Sequence, residues 1–107
     1  MAYTTNTNTM HQVRNHTIGQ TVSDGGAAAD TNFVTGYLPR VVRFINLTDR
    51  ITLEWFEGMA ADSALQTVAA GTRTLITTAG ITPTANGFTV KAATLTASKT
   101  FTYEAIG

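Results

Sequence analysis

The chain contains no cysteine, only two prolines and few charged side chains. Without cysteine it can form neither a disulfide nor a thiolate metal site, and it has no cysteine nucleophile. Charged residues make up 13% of the 107 residues, with seven basic and seven acidic, so the formal net charge is zero. A general nucleic-acid binder needs a basic surface. We therefore expect no specific nucleic-acid partner.

Long apolar runs are also missing. No stretch approaches the roughly 20 apolar residues that a membrane-spanning helix needs. Residues 1–6, Met-Ala-Tyr-Thr-Thr-Asn, lack the apolar core of a signal peptide. We therefore expect no membrane partner and a protein that is made in the cytoplasm.

The residue that is abundant is threonine, which occurs 22 times, followed by alanine, which occurs 15 times. Threonine suits a pleated sheet surface because it is β-branched and still polar. No segment has a helical apolar period over ten or more residues, whereas turn signals recur every eight to twelve residues. This pattern predicts seven to nine short strands in an all-β, single-domain antiparallel β-sandwich or jelly-roll-like barrel. The predicted domain covers residues 17–107, and residues 1–16 form an extended N-terminal arm.

A central hairpin over residues 40–57 carries the clearest strand pattern. Its first strand is apolar on both faces, which places it in the middle of the sheet. In its second strand, Ile51, Leu53 and Trp55 alternate with Thr52, Glu54 and Phe56, which is the two-residue period of a half-buried strand. We therefore expect Ile51, Leu53 and Trp55 to point into the core.

Two glycine-containing pairs predict where the later strands end. Ala79-Gly80 is interpreted as a break between a strand over residues 72–77 and an edge-like piece over residues 81–84. Asn86-Gly87 is the strongest hairpin signal, because both residues tolerate positive φ.

Residue patterns for catalysis are weak. The only histidines, His11 and His16, lie in the predicted arm, and a metal site usually needs three or four ligands on rigid elements. Glu54 and Glu57 are three residues apart on a strand, which puts them on opposite faces. No Gly-x-Ser-x-Gly motif surrounds Ser63. We expect no enzyme activity, no cofactor and no metal.

The remaining polar and aromatic side chains can form contacts with other proteins instead of a catalytic site. The arm can order across a neighbouring molecule, and the loop over residues 58–64 can add contacts. Arginines such as Arg40 and Arg43 suit either interface ion pairs or salt bridges within the fold. The candidate interaction residues are His11, Arg14, His16, Phe56, Met59 and Asp62.

About two thirds of the chain, from Tyr37 onward, resembles small virion proteins of tailed bacteriophages. The stretches that carry the resemblance are residues 37–59 (Tyr-Leu-Pro-Arg-Val-Val-Arg-Phe-Ile-Asn-Leu-Thr-Asp-Arg-Ile-Thr-Leu-Glu-Trp-Phe-Glu-Gly-Met), 68–75, 80–81, 86–90 and 101–107. The resemblance implies a non-enzymatic structural protein on the capsid surface of a virion. It further implies a decoration (cement) protein that binds the major capsid protein lattice or other virion proteins, associates with its own copies, and stabilises the head.

Two other interpretations stay open. The first is a tail, neck or fibre component of the same kind of particle, which copy number would distinguish from a head protein. The second is a small carbohydrate-binding β module, which requires an exposed aromatic platform built from residues such as Trp55, Phe56 and Tyr103. Trp55 shares its strand face with Ile51 and Leu53, which favours the core for Trp55.

Overall fold

Eight β-strands and no helix make up the part of the chain that the computed structural model describes, residues 15–23 and 29–107. All neighbouring strands pair antiparallel in one sheet with the order β1-β8-β3-β4-β5-β6-β7-β2. The strands are β1 (His16–Val22), β2 (Thr31–Val34), β3 (Val41–Asn46), β4 (Ile51–Phe56), β5 (Ser63–Thr67), β6 (Arg73–Thr84), β7 (Gly87–Val90) and β8 (Thr100–Ile106).

Strands β3 and β4 form the middle of the sheet, and their alternating apolar residues determine which face is buried. On β3, Val42 and Phe44 are fully buried, while Val41, Arg43 and Ile45, which alternate with them, are half-buried. On β4, Leu53 and Trp55 are buried, and Ile51 is half-buried. The predicted inward direction of this strand face is therefore confirmed. Strand β3 lies between β8 and β4, as the apolar character of both its faces predicted.

The sheet curls into a half-barrel, so that β2 at one edge lies over the middle strands. The ring of Phe33 on β2 is 5.3 Å from that of Phe44 on β3 and 5.2 Å from that of Tyr103 on β8, measured between centroids. Phe88 on β7 joins the same cluster at 5.3 Å from Phe33. Buried aromatic pairs of this kind contribute about 0.5–1.5 kcal/mol each beyond the burial of their area. The aromatic cluster thus holds the two halves of the curled sheet together.

The predicted break at Ala79-Gly80 is wrong, because β6 runs without interruption from Arg73 to Thr84. The strand changes partner along its length: its first four residues pair with β5 and its last four pair with β7. A bulge separates the two regions, where Ser63 pairs with Ile81 but the next residue pairs with Ile76. Ala79 takes up the bend with a φ of 61°. The sequence signal marked an irregularity within one strand, as a bulge does.

The Asn86-Gly87 signal does mark a hairpin, but the turn is one residue earlier than predicted. Thr84 pairs with Gly87, so the two turn residues are Ala85 and Asn86. Neither Asn86 nor Gly87 has positive φ. Gly87 is instead the first residue of β7, and a Cβ at this position would collide with the backbone carbonyl of Phe33. A close approach of two strands, and not a left-handed turn, therefore explains the glycine.

The prediction of an all-β, antiparallel, single-domain fold is confirmed. Its strands form one curled sheet. The predicted arm, residues 1–16, lies outside the described residues except for Asn15 and His16, the latter being the first residue of β1. Within the described ranges, no helix is long and apolar enough to cross a membrane.

Candidate interaction surface

The convex side of the sheet, here called the outer face, carries the side chains that point away from the core on six adjacent strands. Strand register determines which residues share this face, since directly paired residues lie on the same side. One row across the sheet runs through Ile18, Glu104, Arg43, Glu54, Leu65 and Leu75, in strand order. A second row runs through His16, Ile106, Val41 and Phe56, and a third through Gln20, Thr102, Ile45, Thr52, Thr67 and Arg73.

Ionic side chains form a connected chain along the first row, and His16 of the second row joins it. The Nη1 atom of Arg43 donates to Glu104 at 2.9 Å, and its Nε atom donates to Glu54 at 3.3 Å. The Nε2 atom of His16 is 2.7 Å from the other carboxylate oxygen of Glu104. Single exposed ion pairs contribute little, but charges in a network restrain one another. The charges at the centre of the outer face are therefore already paired within the chain.

These contacts shift two pKa values. The pKa of Glu104 lies below its ordinary value because the carboxylate is hydrogen-bonded first by His16 and then by Arg43. The pKa of Arg43 is raised, chiefly by its hydrogen bond to Glu104 and then by the one to Glu54. Both shifts favour the charged forms of these two residues, so the ion pair between Arg43 and Glu104 is retained at neutral pH.

Large apolar side chains surround the ionic row and are open to solvent. Ile18 is 73% exposed, Val22 67%, Leu75 60% and Phe56 38%. The guanidinium carbon of Arg43 lies 6.0 Å from the centre of the Phe56 ring, at the outer limit of a cation–π contact. Exposed apolar groups that share one face, with polar groups among them, are typical of a protein–protein contact surface.

Two of the predicted interaction residues lie on the outer face. His16 and Phe56 stand at opposite ends of one row, with Ile106 and Val41 between them. The structure therefore places them on one surface without bringing them into contact. His11 and Arg14 lie outside the described residues.

Met59 and Asp62 lie away from the outer face, in the connection between β4 and β5. Met59 is half-buried against the core, and its sulfur accepts a hydrogen bond of 3.2 Å from the backbone N–H of Phe56. Asp62 has a φ of 64° and accepts a hydrogen bond from Thr82 Oγ1 at 2.9 Å. Lys91 Nζ is 3.7 Å from the Asp62 carboxylate. Both residues thus have contacts within the chain that organise this connection.

The arginines that suited either interface or internal ion pairs form internal ones. Arg43 pairs with Glu54 and Glu104, and Arg40 pairs with Glu57 at 3.1 Å at the end of the strand. Glu54 and Glu57 consequently have different partners and form no carboxylate pair.

The structure gives little support to an exposed aromatic platform for carbohydrate binding. Trp55 is 5% exposed, and its indole N–H donates to the carbonyl of Ala60 at 3.2 Å. Of the three predicted aromatic residues, only Phe56 is exposed, since Tyr103 is half-buried and packs against the core. A cavity of about 140 Å³ lies beside the β3–β4 turn, lined in part by Asn46, Asp49 and Gln66. Ligand sites usually have about 300–1,000 Å³.

Other residues of the outer face were not singled out from the sequence. Ile18 and Leu75 do alternate with polar residues, as surface-facing apolar residues on strands can, but alternation does not tell which face is open to solvent. Glu104 lies 61 residues from Arg43 along the chain, and only the pairing of β3 with β8 brings them together.

Within the described ranges, no three His, Cys, Asp or Glu side chains come together as a metal site would require.

Comparison with models of known protein families, with curated proteins and with solved structures finds no match to this chain.

Proposed function

We propose that this chain is a non-enzymatic structural protein of a bacteriophage virion. In this proposal it is a decoration protein that binds the major capsid protein lattice and stabilises the head. Its docking surface is the outer face of the sheet. The observation that carries the proposal is the combination, on this one face, of exposed Ile18, Phe56 and Leu75 with an ionic row that is already paired.

Pre-paired charges matter because docking removes water from the whole face. A buried charge without a partner costs several kcal/mol, whereas Arg43 would enter the interface with both of its carboxylate partners. The apolar groups around the row then supply the favourable term, about 25 cal/mol for each Å² of apolar surface that leaves water. The outer face thus combines a source of affinity with a low cost of desolvation.

The composition supports association with a large lattice. With 13% charged residues and zero net charge, the chain has weak long-range repulsion between copies or from neighbours. Weak contacts that are repeated by capsid symmetry would stabilise the head collectively. The proposal that this lattice is a phage capsid rests on the resemblance of residues 37–107 to small virion proteins of tailed phages. Localisation on the capsid surface is part of the same proposal.

A binding assay with phage heads that lack the chain tests the docking surface. Purified protein is mixed with heads assembled without its gene, and bound protein is measured after the heads are pelleted. We expect Phe56→Glu to lower head affinity by about tenfold or more, since it places a carboxylate in an apolar contact. Leu47→Glu is the control, because Leu47 is 47% exposed but lies in the β3–β4 turn.

Trp55 fluorescence reports in the same samples whether each variant is folded, since the indole is buried. If Phe56→Glu and Leu47→Glu bind heads equally well, the outer face is not the docking surface. Failure of the unmodified protein to bind heads, together with its presence in purified tails, would move the proposal to a tail, neck or fibre component.

A further inference from the structure

Of the two edge strands in the part of the chain that the structure describes, β1 is the longer. Within residues 15–23 and 29–107, β1 pairs with β8 alone, so its other side offers unpaired backbone groups. Proteins usually protect such edges with charged side chains, proline, a bulge or a very short strand. The seven residues of β1, His-Thr-Ile-Gly-Gln-Thr-Val, contain no Asp, Glu, Lys, Arg or Pro. At the opposite edge of the sheet, β2 has only four residues.

The hydrogen bonds at the two ends of β1 show which backbone groups face the open edge. The N–H of Gly107 donates to the carbonyl of Asn15, and the N–H of Ser23 donates to the carbonyl of Lys99. In the continuous register between them, the odd-numbered residues of β1 are therefore those hydrogen-bonded to β8. The N–H and C=O groups of the alternate residues point to the open edge, and these residues are His16, Ile18, Gln20 and Val22.

We infer that β1 is a self-association edge, at which β1 of a second copy of this chain pairs antiparallel about a two-fold axis through Gly19. In this register all seven residues of each strand overlap. His16 faces Val22 of the second copy, and Ile18 faces its Gln20. Within the described ranges these residues have no backbone partner on that side, so each His16–Val22 and Ile18–Gln20 pair can exchange two hydrogen bonds. The two sheets become one continuous sheet.

The side chains favour a second copy as the occupant. Ile18 and Val22 are 73% and 67% exposed and lie on the outer face. In the two-fold register Ile18 is diagonal to both Ile18 and Val22 of the second copy, at about 7–8 Å between Cα atoms. Four apolar side chains, two from each copy, thereby become one cluster across the two strands. No like charges oppose each other, because β1 has no acidic residue and His16 faces a valine.

The interface is short, which determines the strength of association. A seven-residue strand is about 24 Å long, so the buried surface falls at or below the roughly 1,200 Å² typical of weak, transient contacts. We therefore expect a dimer that forms reversibly as concentration rises. The pairing would place two outer faces side by side. It does not rest on the proposed function, since it follows from the edge alone and can be measured without phage particles.

Sedimentation velocity over a concentration series tests the association with matched variants. The unmodified protein should shift from monomer to dimer as its concentration rises to the order of 1 mM. Val22→Lys should weaken the dimer by about tenfold or more, because it places a lysine at both ends of the paired strands. Val34→Lys is the control, since Val34 is also an edge-strand valine and is 66% exposed, but lies on β2. It should dimerise like the unmodified protein.

A monomer at every concentration would overturn the inference. So would a dimer that Val34→Lys weakens and Val22→Lys does not, since the contact would then lie at the β2 edge.

Disulfide trapping tests the register, because the chain has no cysteine of its own. In the two-fold register Thr17 faces Thr21 of the second copy in a non-hydrogen-bonded pair, with Cα atoms about 4.5 Å apart, which suits a disulfide. We expect a mixture of Thr17→Cys and Thr21→Cys proteins to form a disulfide-linked dimer on mild oxidation. Either variant alone places its cysteines about 14 Å apart, too far for a bond. Linkage that is equally strong in one variant alone, or absent from the mixture, would contradict this register.

Discussion

At the scale of single residues, Arg43 and Glu104 are the most connected side chains of the outer face. Arg43 bridges the carboxylates of Glu54 and Glu104, and Glu104 also binds His16. The sequence placed Arg43 within a strand and Glu54 on its polar face, but it identified no partner for Glu104. The missing information was the pairing of β8 with both β1 and β3, which joins segments far apart along the chain.

This network predicts a loss of stability in acid. A carboxylate whose pKa is lower in the folded chain contributes stability above its unfolded pKa and loses that contribution as the pH falls through the folded value. Glu104 has such a lowered pKa, so its contribution should disappear as the pH falls below the ordinary value of 4.5. We expect Glu104→Gln to reduce the difference in free energy of unfolding between about pH 7 and about pH 3, measured with urea.

Part of the acid effect should remain in that variant. The pKa of Asp49 is also lowered, chiefly by its hydrogen bond to Lys99, and this pair is unaffected. Glu57→Gln is the charge-matched control, because it removes an exposed carboxylate that contacts Arg40 outside the network. If Glu104→Gln and Glu57→Gln change the acid sensitivity equally, the network does not act as described.

At the scale of strands and turns, the hairpins were predicted better than the contacts between distant strands. The bounds of β4 agree with the alternation of apolar and polar residues over 51–56, which local sequence determines. The Asn46 side chain explains the β3–β4 turn: it donates to the Asp49 carboxylate at 3.0 Å and accepts from the Asp49 N–H at 2.9 Å. The Ala79-Gly80 signal predicts a break in β6 because the local sequence does not distinguish the end of a strand from a bulge at which a strand changes its partner from β5 to β7.

The close approach of β7 to β2 gives a prediction for two glycines. A Cβ at Gly87 would collide with the backbone of Phe33, whereas a Cβ at Gly19 would meet only the ring of Tyr103. The backbone of Phe33 cannot move without disturbing the pairing of β2, whereas the Tyr103 ring can shift at the smaller cost of some of its contacts in the aromatic cluster. We expect Gly87→Ala to lower the free energy of unfolding by about 1–3 kcal/mol, in the range of overpacked cores. Gly19→Ala should cost less.

Urea unfolding followed by Trp55 fluorescence compares the two variants, and Gly19→Ala serves as the matched control for a strand glycine. Equal destabilisation, or a larger effect at Gly19, would show that the approach of β7 to β2 is not the constraint that requires Gly87.

At the scale of the whole molecule, the curl of one sheet creates both the core and the surface. Its concave side gathers the aromatic cluster of Phe33, Phe44, Phe88 and Tyr103. Its convex side is the outer face. The composition indicated an all-β chain and the alternation indicated which residues of β3 and β4 enter the core. Neither could show that the outward residues of six strands form one amphipathic surface, because this depends on strand order.

The proposed function depends on what covers the outer face in an assembled particle. Cryo-electron microscopy of purified virions of the kind that the proposal assigns to this chain would show it most directly. We expect density for the eight-stranded sheet on the capsid, with Phe56 and Leu75 of the outer face against the lattice. A chain that is absent from the particle, or that meets the lattice through another surface while the outer face stays open to solvent, would contradict the account.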